Sequence, residues 1–234
     1  MSYLKCCVVP MLLLMLLVFS GCASKLVSKG EAFPKMYDTT PRSILILPPM
    51  NESTDAEAKD YYMTTVERPF ALAGYYVFPV EMVGDIMKQE GVYDTEVLYK
   101  LPPDKFYEYF GADAVLFSRI KKWDVSYMVL ASNLTVSIES EIVSTKTSEQ
   151  LWKYTGTVVV DLSGGNSGGG IAGLIAKAIV TAINTAAADY VKYARVANTK
   201  LVSTIPAGPY NEMYLKDQSI LIVKQTSDKS LVTN

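Results

Sequence analysis

The sequence predicts an α/β chain built as an α+β sandwich: a mixed sheet with helices packed on it and a long antiparallel hairpin in its second half. Three observations carry this reading. Residues 43–47 (S-I-L-I-L) form an unbroken apolar run stopped by Pro48 and Pro49, the pattern of a buried central strand. Between residues 56 and 120, stretches of helical and strand character alternate in the order α, β, α, α, β. From Trp123 to Leu162 the hydrophobic period becomes two, as in a half-buried antiparallel strand.

Taken in order, the chain opens with Lys5 and then 14 uncharged, apolar residues, 6–19, interrupted only by Pro10. That length suits the hydrophobic region of an export signal and falls short of the roughly 20 residues a spanning helix needs. Val18-Phe19-Ser20-Gly21-Cys22 follows and resembles the bacterial lipobox, with Phe19 bulkier than the usual Leu. Residues 1–21 are therefore expected to be a signal peptide cut between Gly21 and Cys22. The Cys22 thiolate is the nucleophile that takes a diacylglycerol. Ala23 and Ser24 stand where an Asp would signal inner-membrane retention, so an outer-membrane anchor facing the periplasm is expected. Residues 22–42, with Gly30, Pro34 and Pro41, read as a lipidated N-terminus and tether.

A single domain is expected over residues 43–224. After the first strand, Thr54 and Glu57 have capping-box spacing, and a helix should run over residues 56–72, kinked near Pro69 and ended by Gly74. A short strand at 75–79 and a helix at 80–89 follow, the latter closed by Gly91. Pro102 and Pro103 open a helix over 104–110, because proline suits the first turn. Gly111-Ala112-Asp113 leads to a strand at 114–120, followed by a hairpin or three-stranded meander over 123–162 that turns at 144–149. Leu134, Val136, Ile138 and Ile142 point one way, while Thr135, Ser137, Glu139 and Glu141 point to the solvated side. A long helix is expected from Ile171 to about Arg195, an edge strand at 219–224 and a polar tail at 225–234.

Composition narrows the chemistry. The 234 residues suit one or two domains that bury ~70% or more of the unfolded surface. Lys and Arg number 22 against 24 Asp and Glu, which disfavours nucleic acid as a partner. With no His at all, the chain lacks the commonest general base and zinc ligand. Cys6 and Cys7 leave with the signal and Cys22 takes lipid, so the mature chain needs no disulfide. Losing Lys5 leaves 21 basic against 24 acidic residues. No cofactor, metal site or catalytic residue is expected.

The sites that can be weighed are few. Gly168-x-Gly170-x-x-Gly173 matches a dinucleotide fingerprint literally, but no second parallel strand ending in an acidic residue follows. Gly168, Gly169, Gly170 and Gly173 are better read as a loop and helix start that contact a protein partner, or as a simple connection. The helix after them carries Lys177 as its one charge over 171–188 and packs on the sheet or on other subunits. Glu139 and Glu141 share a strand face, yet no nucleophile accompanies them. The hairpin either covers a core or enters a membrane barrel. The 16 Tyr fill core edges or interfaces.

Four stretches then carry a resemblance: Ile46-Leu-Pro-Pro-Met-Asn51, Gly111-Ala-Asp-Ala-Val-Leu-Phe117, the glycine loop before an alanine-rich helix, and Ile205-Pro-Ala-Gly-Pro-Tyr210. The chain resembles bacterial lipoproteins of the neisserial genome-derived-antigen type over about residues 34–210. The resemblance implies a fold similar to the periplasmic domain of the curli secretion channel lipoprotein and to the N-terminal domain of the Tol-Pal translocation protein. It implies a non-enzymatic envelope component, partnered with other envelope lipoproteins such as a curli-channel-like one, and carries over no functional residue beyond Cys22. The expected function is a structural or adaptor part of an envelope transport or secretion assembly, with oligomerisation open. The alternative is a periplasmic binding module for a small ligand or cell-wall fragment.

Overall fold

The computed structural model describes residues 26–128, 131–161, 190–224 and 231. The expected signal peptide, Gly21, Cys22, the glycines at 168–170 and 173, and most of the expected long helix lie outside them.

The mixed sheet predicted from the sequence is present. Strand β2 (Ser43–Ile46) lies parallel between β4 (Tyr76–Val77) and β5 (Ala114–Met128). Strands β6 (Ala131–Ser144) and β7 (Gln150–Asp161) extend it antiparallel, giving the order β4-β2-β5-β6-β7. Pro48 and Pro49 offer no N–H, so the ladder lapses after Leu47 and resumes at β3 (Met50–Asn51) on the same edge of β5.

Helices cover both faces, which is why residues 44–47 are apolar without alternation. Helix α3 (Ala58–Leu72) and helix α7 (Tyr190–Val202) lie over one face. Tyr62, Val66, Phe70, Ala194, Ala197 and Leu201 join Ile44, Ile46, Ala114 and Leu116 there. On the other face α4 (Val80–Gln89), α5 (Thr95–Leu98) and α6 (Pro103–Phe110) bring Val83, Met87, Leu98 and Phe106 onto Leu45, Leu47, Val115 and Phe117. The buried positions of α3 recur every three to four residues, so one stripe of the helix meets the sheet.

Several expectations need correction. The strand expected at 114–120 and the separate one from Trp123 are one strand, β5. An extra residue between Ile120 and Lys122 shifts the register. Three positions apart, Ile120 and Trp123 would otherwise face opposite ways; the bulge puts both in the same core. The capping box at Thr54 and Glu57 does not form. Asp55 Oδ1 accepts from Glu57 N, while Thr54 Oγ1 turns to Asp124. Helix α7 continues past Arg195 to Val202.

The described part of the expected tether is folded. Residues 26–28 form β1 (Leu26–Ser28), paired antiparallel with β8 (Leu221–Val223) in a separate two-stranded ribbon. The expected edge strand thus pairs with the N-terminus rather than with the main sheet. Two short helices, α1 (Lys29–Ala32) and α2 (Pro34–Thr39), follow β1. Val27, Phe33 and Met36 are buried in the core beside Trp152. Val27, Phe33 and Met36 give this stretch apolar side chains to bury, which a tether lacks.

Candidate functional site

The N-terminal segment is held by a buried polar clamp. Lys29 Nζ donates to Ile205 O at 2.6 Å and to Asp217 Oδ2 at 3.1 Å. Asp217 also accepts from Tyr37 OH at 2.9 Å and from Ala207 N at 2.9 Å. One carboxylate thus ties α1, α2 and the segment before β8 together. Burial, and then the bond to Asp217, push the Tyr37 phenol far above its ordinary range. A cation and an anion out of water need such partners, because either one alone is costly to bury.

The motifs singled out in the sequence take structural roles. Gly111 is left-handed (φ 69°) and ends α6, and Asp113, two residues on, binds the start of β2. Its Oδ2 accepts from Arg42 N at 3.0 Å and Ser43 N at 3.3 Å, and Lys146 Nζ reaches Oδ1 at 3.2 Å. Burial raises this carboxyl, but the Arg42 amide and Lys146 outweigh it and hold the group below its ordinary value. The segment 206–210 packs on the end of α3. Gly208 N donates to Ala73 O at 2.8 Å, Tyr210 N to Gly74 O at 3.0 Å, and Tyr75 OH to Pro206 O at 2.7 Å. The crossing requires two glycines: a methyl on Gly208 would sit 2.3 Å from Gly74 O.

Inside the sheet runs a hydrogen-bonded chain. Tyr62 OH meets Ser118 Oγ at 2.7 Å, Ser118 Oγ meets Ser140 Oγ at 2.8 Å, and Tyr99 OH lies 2.7 Å from Ser118 N. Burial raises Tyr62 to about 12 and Tyr99 further, so neither phenol can act as a base for Ser118 at neutral pH. All four residues are sealed from solvent, and the chain joins α3 and the segment after α5 to the two strands. It satisfies polar groups that would otherwise be orphaned.

Glu139 and Glu141 do not form a solvated pair. Glu141 is fully buried against the second core, where it accepts from Gln150 Nε2 and, at 2.5 Å, from Leu231 N. The chain is buried from Ser140 to Thr145, and on the Glu141 side Leu231 packs into the second core beside it. Leu231 is itself buried there, so the expected polar tail has at least one residue in the core.

A groove of about 410 Å³ lies between α3 and α7. The buried Pro69 and Val202 give it an apolar floor, and the exposed Leu72, Arg68 and Arg195 stand at its rim. Among the described residues no group of three acidic or Cys side chains is placed to hold a metal, and no helix is long and apolar enough to cross a membrane. Sequence reasoning missed Lys29, Asp217, Arg68 and Arg195. None of the four carries a periodic or motif signal.

The relatives bear on this arrangement. The chain is 32% identical over 136 residues to "Putative lipoprotein NMB1124/NMB1162" of Neisseria meningitidis serogroup B, a match covering 58% of this chain and 63% of that protein's length. Among solved structures, lipoprotein GNA1162 from Neisseria meningitidis superposes with a TM-score of 0.51 at 33% identity, covering 54% of this chain and 88% of that one. A PelC dodecamer from Paraburkholderia phytofirmans superposes with a TM-score of 0.46 at 12% identity over 77% of this chain and 96% of that one, too distant to carry an argument about assembly. The family model described as "Putative lipoprotein GNA1162-like" matches residues 32–210, and the chain belongs to that family.

Proposed function

We propose that this protein is anchored in the outer membrane through lipid on Cys22, faces the periplasm, and serves as a non-enzymatic structural or adaptor component of an envelope transport or secretion assembly. The observation that carries the reading is the agreement between a lipoprotein family match and the order of charge, apolar stretch and Ser20-Gly21-Cys22 at the N-terminus. Residues 1–21 are then the signal peptide. Gly168, Gly169, Gly170 and Gly173 remain the proposed partner contact, supported by small side chains that allow close approach.

Labelled palmitate should enter the wild-type protein and not Cys22→Ser; incorporation that persists in the variant ends the lipid reading. Size analysis of detergent-extracted protein should give a ring or hetero-complex, and a strict monomer without a cross-linked partner ends the adaptor reading. A second reading, a binding module for a small ligand, draws support from the groove between α3 and α7. Its apolar floor and two rim arginines suit an amphipathic anion such as an acidic cell-wall peptide. Saturable binding of such a peptide, lost in Arg68→Ala/Arg195→Ala, would favour it over the adaptor.

A further inference from the structure

The β1–β8 ribbon has two unlike faces. Its register places Leu26 opposite Val223, Val27 opposite Ile222 and Ser28 opposite Leu221. Strand alternation then puts Val27 and Ile222 on one face, and both are buried in the main core. Leu26, Ser28, Leu221 and Val223 lie on the other face, where Leu26 is 44% and Leu221 62% exposed. Ile220, just before the strand, is 43% exposed. An apolar outward face on a two-stranded ribbon calls for a cover.

We propose that this outward face rests on the lipid bilayer and sets the orientation of the whole domain on the membrane. The proposal rests on the lipid anchor at Cys22. Only residues 23, 24 and 25 separate Cys22 from Leu26. Four extended steps reach at most ~14 Å. The first strand of the ribbon is therefore held within ~14 Å of the lipidated residue, close to the headgroup layer, while the anchor is inserted.

The fold also stops β1 from peeling away on its own. Lys29 N donates to Ile220 O at 2.9 Å and Gly30 N to Gln218 O at 3.0 Å. The Lys29–Asp217 pair then locks this crossing to the core. A short leash on a clamped strand keeps the ribbon close to the bilayer, and the ribbon's outward face is mostly apolar. Leucines and an isoleucine suit the boundary between headgroups and acyl chains. Lys224, exposed directly after Val223, has the reach to meet lipid phosphates. The groove between α3 and α7 is then left open to the periplasm or to partners according to where it falls relative to the ribbon.

The test uses the full lipidated chain in vesicles of phosphatidylethanolamine and phosphatidylglycerol. Because the mature chain is read as having no free thiol, a single introduced cysteine carries the fluorophore. Leu221→Cys and Leu26→Cys report on the proposed face; Glu90→Cys, exposed at the end of α4 on the opposite layer, is the control. Lipids brominated in the acyl chain should quench the labels at 221 and 26 severalfold more than the label at 90. Equal quenching at all three, or strongest quenching at 90, overturns the orientation. Flotation of the same samples separates the two readings. Protein that floats without quenching at 221 refutes the docking face alone, whereas protein that does not float refutes the anchor and the proposal with it.

Discussion

Lys29 and Asp217 lie 188 residues apart in the chain and meet at 3.1 Å, with side chains only 9% and 2% exposed. This pair closes the N-terminal segment onto the stretch just before the last described strand. Because Tyr37 OH, Ala207 N and Lys29 Nζ all donate to the one carboxylate, the two partners are not equivalent.

Asp217→Ala should therefore cost more than Lys29→Met. Removing the carboxylate strands a buried cation and two further donors, a loss of about 3–5 kcal/mol. Removing the cation leaves Asp217 two of its donors. Urea unfolding of both variants checks this. Equal midpoints would show that the pair does not carry the clamp.

The two glycines of the 74–208 crossing contrast with Gly84. Gly74 is left-handed (φ 94°), and a methyl there would stand 2.5 Å from Asn211 N. Gly74→Ala should lower the melting temperature by several degrees through clash and strain. Gly84 lies inside α4 with open space around its Cβ position, so Gly84→Ala should stabilise by about 0.5–1 kcal/mol. Calorimetry on the two variants should give shifts of opposite sign.

Asp113 gives the fold an acid-sensitive element. Its carboxyl titrates below the ordinary 3.8 in the folded chain, held there against burial by Arg42 N and Lys146. A depressed folded pKa means a contribution present in full above the unfolded value and lost as pH falls through the folded one. Asp113→Asn should be less stable than wild type at pH 6, with the gap narrowing below about pH 4. Stability curves at several pH values measure it, and a constant gap contradicts the assignment.

Glu141 ties Leu231 to the sheet. In Glu141→Ala, the buried Leu231 N loses its acceptor at a cost of about 1–3 kcal/mol, while the exposed Gln150 amide turns to water. The residue at 231 should then dissociate more often. Carboxypeptidase trimming past position 231, followed by mass spectrometry, should be faster in the variant; an unchanged rate would detach Leu231 from this role.

Local patterns in the sequence identified most elements. The unbroken run at 43–47 announced a strand covered on both sides, and alternation after Trp123 announced the hairpin. Both signals depend only on neighbouring residues, and both appear in the sheet. The glycine and proline motifs at 111–113 and 205–210 were legible as turns. Their docking partners, Ser43 and the end of α3, were not.

What the sequence determined by itself is the succession of helices and strands, the absence of histidine and, by its lipobox, an expected anchor at Cys22. Tertiary structure alone decided that residues 26–42 are folded rather than free, since β1 exists only where β8 meets it. It also decided that Glu141 is buried while its strand neighbour Glu139 is not, and that Lys29 finds Asp217. A period of two or 3.6 reports which side of an element is apolar. It carries no information about which distant element covers that side, or which buried charge a distant residue will answer.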